Sequence, residues 1–139
     1  MKKLILTICV ILFMVHIIKA GGNQPNPPSD STYAQLTFQT TIHDYEQVTK
    51  TESNNVPAGD YTFTFTNTGT KALIIDSVKT SPDYVTVTWS NTPVLPNGTG
   101  TITVNYNTTM PGIINKQVCI FSNALNSPVV LTIVGNVTN

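Results

Sequence analysis

Between Tyr61 and Thr66 the chain alternates aromatic residues with threonine, Tyr-Thr-Phe-Thr-Phe-Thr, and no feature restricts its fold more than this period of two. Successive side chains of a strand point to opposite faces, so the pattern describes a ribbon with one face buried and the other wet. The same period sets Leu36, Phe38, Thr40 and Ile42 against Thr37, Gln39, Thr41 and His43, which predicts a first strand over Ala34 to Tyr45. Further runs at Tyr61 to Thr66, Ala72 to Val78, Val85 to Trp89, Thr101 to Asn107, Ile114 to Phe121 and Val129 to Val137 bring the expected number to seven. Between them stand Pro57-Ala58-Gly59, Asn67-Thr68-Gly69, Ser81-Pro82-Asp83, Pro96-Asn97-Gly98, Pro111-Gly112 and Asn123 to Ser127, residues that supply a positive or a fixed φ where a chain reverses. Short strands with a turn signal after each predict an all-β antiparallel sandwich.

At Asn67-Thr68-Gly69 the alternation stops, and an apolar run, Ala72 to Ile75, follows. The expected reading is a corner: Asn67 bonding its own backbone, Gly69 taking φ > 0, then a more completely buried central strand. The 23 threonines suit a pleated surface that stays wet without charge, in keeping with only 10% charged residues. Trp89, in phase with Val85 and Val87, is the expected large anchor of the core.

Three segments are expected. Lys2 and Lys3, the apolar stretch Leu4 to Ile18, and Lys19-Ala20-Gly21 form a signal peptide over residues 1–20, cut between Ala20 and Gly21. That stretch is shorter than the ~20 apolar residues that span a bilayer, which favours cleavage over a retained anchor. Cys9 lies inside the stretch rather than closing it, so it does not fit a lipid-attachment site. A flexible linker follows over 21–33, rich in Pro, Gly and Asn, and the sandwich domain occupies 34–139. Removing Lys2, Lys3 and Lys19 leaves 7 − 3 = 4 lysines against seven acidic residues, a charge of 4 − 7 = −3, and there is no arginine. Nucleic acid is not the expected partner, nor is a membrane once the signal peptide is removed. The mature chain would keep one cysteine, Cys119, one short of an intrachain bridge.

Asp44-Tyr45, Phe65-Thr66-Asn67-Thr68-Gly69, Leu73-Ile74-Ile75, Pro93, Leu95-Pro96-Asn97-Gly98, Gly100-Thr101-Ile102, Gly112, Lys116, Ser122-Asn123-Ala124 and Leu131-Thr132-Ile133-Val134-Gly135 together resemble a bacterial domain-of-unknown-function family, family 1573. The resemblance covers nearly all of the domain. It implies an Ig-like sandwich of the hydin and major-sperm-protein kind, exported by Gram-negative bacteria to the periplasm, the cell surface or the medium, with no established activity. Two departures stand out. Ser81-Pro82-Asp83-Tyr84-Val85 replaces the family's Ser-Cys-Gly-Cys-Thr, so no redox or metal role of that pair carries over, and Glu46 occupies a position where the family tends to have glycine.

No catalytic constellation emerges, and neither an enzymatic activity nor a cofactor is expected. His43 and Asp44 are neighbours on a strand and point apart, which reads as a surface histidine beside a turn-forming aspartate. Nothing has zinc-ligand spacing. Gly98-Thr99-Gly100 precedes a strand, whereas phosphate loops aim a helix N-terminus at the anion, so it reads as a turn. The three glycosylation sequons at Asn97, Asn107 and Asn136 are about what chance supplies in so Asn- and Thr-rich a chain. Cys119, mid-strand without a cationic neighbour in sequence, reads as a small residue on a sheet face rather than a nucleophile. With Val118, Ile120, Val129, Leu131 and Ile133 inward, Cys119, Phe121, Val130 and Val134 face out, and four such residues on adjacent strands suggest either an interaction patch or a face covered by the chain's own loops or linker. The expected function is a non-catalytic exported module binding a protein or glycan partner in the cell envelope. The alternative is a self-assembling envelope subunit docking by strand addition, and an enzyme or redox protein comes third.

Overall fold

The computed structural model describes residues 32–51, 59–81 and 83–139, and the compact unit they form runs from Tyr33 to Asn139. The expected cleavage site at Ala20 and Gly21, the signal peptide and nearly all of the linker lie outside the described residues. Eight strands follow in order: β1 (Leu36–Phe38), β2 (Ile42–Thr49), β3 (Asp60–Asn67), β4 (Ile75–Thr80), β5 (Val85–Trp89), β6 (Thr99–Tyr106), β7 (Gly112–Ser122) and β8 (Val129–Thr138). They form two four-stranded sheets, ordered β1-β3-β6-β5 and β2-β8-β7-β4. Every pairing is antiparallel except β2 with β8, which is parallel, so the fold is a β-sandwich with one mixed sheet.

The alternating runs behave as their chemistry requires. Phe63 and Phe65 of β3 and Ile102, Val104 and Tyr106 of β6 face Ile114, Val118 and Ile120 of β7 and Leu131, Ile133 and Val137 of β8, all buried. Each large apolar side chain so removed from water contributes about 1.5–3 kcal/mol. On the outer face of the first sheet the threonines pair through their hydroxyls, Thr62 with Thr103 at 3.0 Å and Thr37 with Thr68 at 2.8 Å. Such pairs add to a ladder without charge.

Three expectations change. The single strand over Ala34 to Tyr45 is two strands in different sheets: Leu36 and Phe38 pack from the first, the chain crosses at Gln39–Thr41, and His43 and Tyr45 pack from the second. The crossing shifts the inward phase by one residue, which leaves Ile42 60% exposed. At the crossing Thr40 Oγ1 accepts from the Ile42 N–H and donates to the Ile42 carbonyl, a local turn that competes with strand pairing. Ala72 to Ile75 is not a central strand either. Leu73 is buried but makes only an isolated two-bond bridge to Val94, Ile74 is 40% exposed, and β4 begins at Ile75 on an edge. Trp89 packs at the margin of the core with its Nε1 buried and unpaired, while the largest fully buried side chain is Phe63.

Candidate functional site

The corner at Asn67 is structural. Asn67 is fully buried, and its amide serves four backbone groups: Oδ1 accepts from the N–H of Gly69 (3.0 Å) and of Gln35 (3.3 Å), and Nδ2 donates to the carbonyls of Lys71 (2.7 Å) and Val94 (2.9 Å). One side chain thereby ties the end of β3 to three other stretches of chain. Gly69 serves differently from expected: its φ is not positive, but a Cβ there would lie 2.3 Å from the Tyr33 carbonyl oxygen and 2.6 Å from the Gln35 nitrogen. Close backbone approach, not a left-handed turn, demands glycine.

Two asparagines of the predicted turn Asn123 to Ser127 continue the stitching. Asn123 accepts from the Ile74 N–H and donates to the Ala72 carbonyl, and Asn126 accepts from the Leu36 N–H and donates to the Leu36 carbonyl. Their only sequence signal was Asn123 within the family-like Ser-Asn-Ala. An amide offers a donor and an acceptor like a peptide group, so each replaces a missing rung of ladder.

His43 is not the surface histidine expected. Its ring stacks on Tyr61 at 3.5 Å and 10°, Tyr45 meets it edge-on at 4.5 Å, and Tyr61 meets Phe63 edge-on at 4.7 Å. With Phe38 against Phe63 and Phe65, these rings close the seam where the chain crosses between sheets. Burial holds the imidazole below its ordinary value, with Asp44 opposing. Burial pushes the Tyr45 hydroxyl well up, with Asp60 and Tyr61 adding to it, and that hydroxyl donates to the Gly59 carbonyl. Asp44 points to solvent and accepts from the Glu46 N–H at 2.7 Å. Glu46 itself sits at φ 55° in a bulge that sets Tyr45 and Glu46 against Gly135. His43 and Asp44 thus share no hydrogen bond and form no dyad.

The four patch residues lie on the outer face of the second sheet, but not as one cluster. Cys119 pairs with Val130 across β7 and β8 and with Lys79 on β4, and Phe121 pairs with Ser77. Val134 pairs with Asn115, four residues along β8 from Val130, or about 13 Å at the usual strand rise. Cys119 is only 5% exposed, so it is no part of an accessible patch, whereas Phe121, Val130 and Val134 are half-buried. The strand crossing adds a residue that the sequence did not suggest: Ile42, beside Thr132, on the same face. Around them lie Gln117, Asn115, Asp44 and Lys79.

A shallow cleft of about 260 Å³ opens at the other sheet, lined by Phe65, Pro93, Val94, Leu95 and neighbouring Ser, Thr and Gly residues, none of them titratable. It is below the range of ordinary ligand pockets. Among the described residues no three His, Cys, Asp or Glu side chains converge to hold a metal, and no helix is long and apolar enough to cross a membrane.

Two packed sheets of mainly antiparallel strands, joined at an Asn-stitched corner, are the architecture of an Ig-like module. Residues 36–137 match the family described as protein of unknown function (DUF1573), and the chain belongs to that family. No curated protein matches it. Among solved structures it is similar to a protein of unknown function from Porphyromonas gingivalis W83, with TM-score 0.60 and 16% identity over 82% of this chain; it spans 51% of that chain, about half its length. It is also similar to the ASH/PapD-like domain 7 of human CEP192, with TM-score 0.60 and 8% identity over 88% of this chain and 98% of that one. The VesB protease of Vibrio cholerae matches at TM-score 0.52 and 11% identity, over 77% of this chain and 32% of the protease. At such identities the likeness is one of fold alone.

Proposed function

We propose that this chain is a non-catalytic exported module that binds a protein or glycan partner in the envelope of a Gram-negative bacterium. The outer face of the second sheet is the proposed contact surface. The observation that carries the reading is the apolar content of that face: Ile42 60% exposed, with Phe121, Val130 and Val134 half-buried on β7 and β8. Uncharged Thr132, Gln117 and Asn115 surround them, able to hydrogen-bond a polypeptide or sugar at little desolvation cost. The absence of arginine and the small negative charge of the mature chain weigh against a nucleic-acid partner.

Capture from envelope extract by the immobilised native protein tests this, with wild type compared against Phe121→Ser and Ile42→Ser. Loss of the same retained species in both variants, with unfolding midpoints preserved, is the expected result. A retained species indifferent to both substitutions, or none retained, removes the face from consideration. Export has its own test: mass spectrometry of the native protein should find an N-terminus between Gly21 and Asn23, and a retained Met1 requires an anchor.

A further inference from the structure

Each sheet has two outer strands, and three of these four edges are blunted. β1 has three residues. β2 carries Asp44 and the Glu46 bulge, and β4 carries Asp76, Lys79 and a bulge between Ile75 and Ser77. Shortness, charge and bulges are the usual means of keeping an edge from pairing. β5, Val-Thr-Val-Thr-Trp, has none of them: five regular residues, no charge, no proline, and, among the described residues, a strand neighbour, β6, on one side only.

The hydrogen-bond phase of β5 is determined by its neighbour. Asn107 N–H donates to the Tyr84 carbonyl at 2.8 Å, and bonded rungs alternate along an antiparallel pair, so Thr86–Asn105 and Thr88–Thr103 are the next bonded rungs. Val85, Val87 and Trp89 therefore turn their N–H and C=O groups outward, and no hydrogen bond among the described residues reaches them. Those three residues are symmetric about Val87. A second β5 laid antiparallel around a two-fold axis at Val87 sets Val87 against Val87 and Val85 against Trp89. Every outward group then meets its complement, two bonds for each of three rungs. In that register Thr86 faces Thr88 of the other copy, as Thr62 faces Thr103 within the sheet. Asp83 faces Asn91, and the two copies of Asp83 stand about 27 Å apart at the strand rise.

We infer that β5 is a self-complementary edge through which two copies of this chain join their first sheets into one eight-stranded sheet. The inference develops the strand-addition alternative and is independent of the face-binding reading. A five-residue rung set buries less than the roughly 1,200 Å² of a stable interface, so the dimer forms with concentration rather than persisting at dilution.

Sedimentation equilibrium of the native protein from about 10 μM to about 1 mM, the range a contact of that size calls for, reads the association. The average mass should rise toward that of two chains. Thr86→Lys with Thr88→Lys sets like charges opposite each other at the seam, while within the monomer these exposed positions face only Asn105 and Thr103. That variant should stay monomeric with an unchanged unfolding midpoint. Thr86→Lys with Thr88→Glu sets opposite charges across the same seam and should dimerise at least as well as wild type. A wild type that remains monomeric at the highest concentration overturns the proposal, whatever extended peptides it captures. So does a dimer that the Lys/Lys variant leaves intact, or one that the Lys/Glu variant fails to restore.

Discussion

Replacing Asn67 should be the most damaging single polar substitution in the domain, and the cost can be worked from its four bonds. In Asn67→Ala the buried Gly69 N–H loses its acceptor. The Gln35 N–H loses its acceptor and the Lys71 carbonyl its donor at part-buried sites that water can partly reach, while the Val94 carbonyl keeps the Leu73 N–H. One stranded group at 1–3 kcal/mol, two partly hydrated ones and the lost amide volume total about 3 kcal/mol. For a domain of this size that is a fall in Tm of roughly 12 °C. Asn67→Asp is the sharper test, because an ionised carboxylate could still accept from Gln35 and Gly69 but would turn an oxygen toward two carbonyls. Its folded pKa must then lie above the ~3.9 of the unfolded chain, so the unfolded state releases its proton first, and stability relative to wild type falls as pH rises from about 4. Asn123→Ala, which removes two bonds from an exposed side chain, is the control and should cost under about 1 kcal/mol. Urea unfolding of the four proteins at pH 4 and 7 measures all of this. The reasoning fails if Asn67→Ala costs no more than Asn123→Ala, or if Asn67→Asp gains on wild type as pH rises.

The two faces of β7 should answer differently to the same change: Val118→Ser, fully buried, should cost on the order of 2–3 kcal/mol, while half-exposed Phe121→Ser should cost clearly less in denaturant titration. Glu46→Gly should raise stability by about 0.5–1 kcal/mol, because a left-handed φ suits glycine and the gain outweighs the looser unfolded chain. A lower unfolding midpoint in that variant would mean the Glu46 side chain contributes more than its backbone costs. His43 should titrate below its ordinary 6.5 in an NMR pH series, since burial against Tyr61 outweighs Asp44. A base whose folded pKa is depressed stabilises fully above the unfolded pKa and loses that contribution as pH falls from about 6.5 to the folded value. A His43 midpoint above 6.5 would contradict the stacked, desolvated ring.

Periodicity of two was enough to determine the class of fold and which residues of β3, β7 and β8 turn inward, because in a half-buried strand burial is a local consequence of alternation. It located Val85–Trp89 to the residue and placed a corner at Asn67. It could not tell that Ala34 to Tyr45 divides between two sheets. Leu36, Phe38, Thr40 and Ile42 alternate without a break, and the phase changes only because Thr40 closes a turn and β8 accepts the second half in parallel. Nor could it tell that His43 lies in an aromatic seam, since Tyr61 is 18 residues away and the stack exists only once the sheets face each other. The apolar run Ala72 to Ile75 read as a buried strand because hydrophobicity predicts burial, not pairing, and Leu73 is buried beside a single bridge. The four uses of the Asn67 amide and the unpaired phase of β5 share one cause. Hydrogen-bond partners distant in sequence are chosen by which backbones the packed sheets bring within reach.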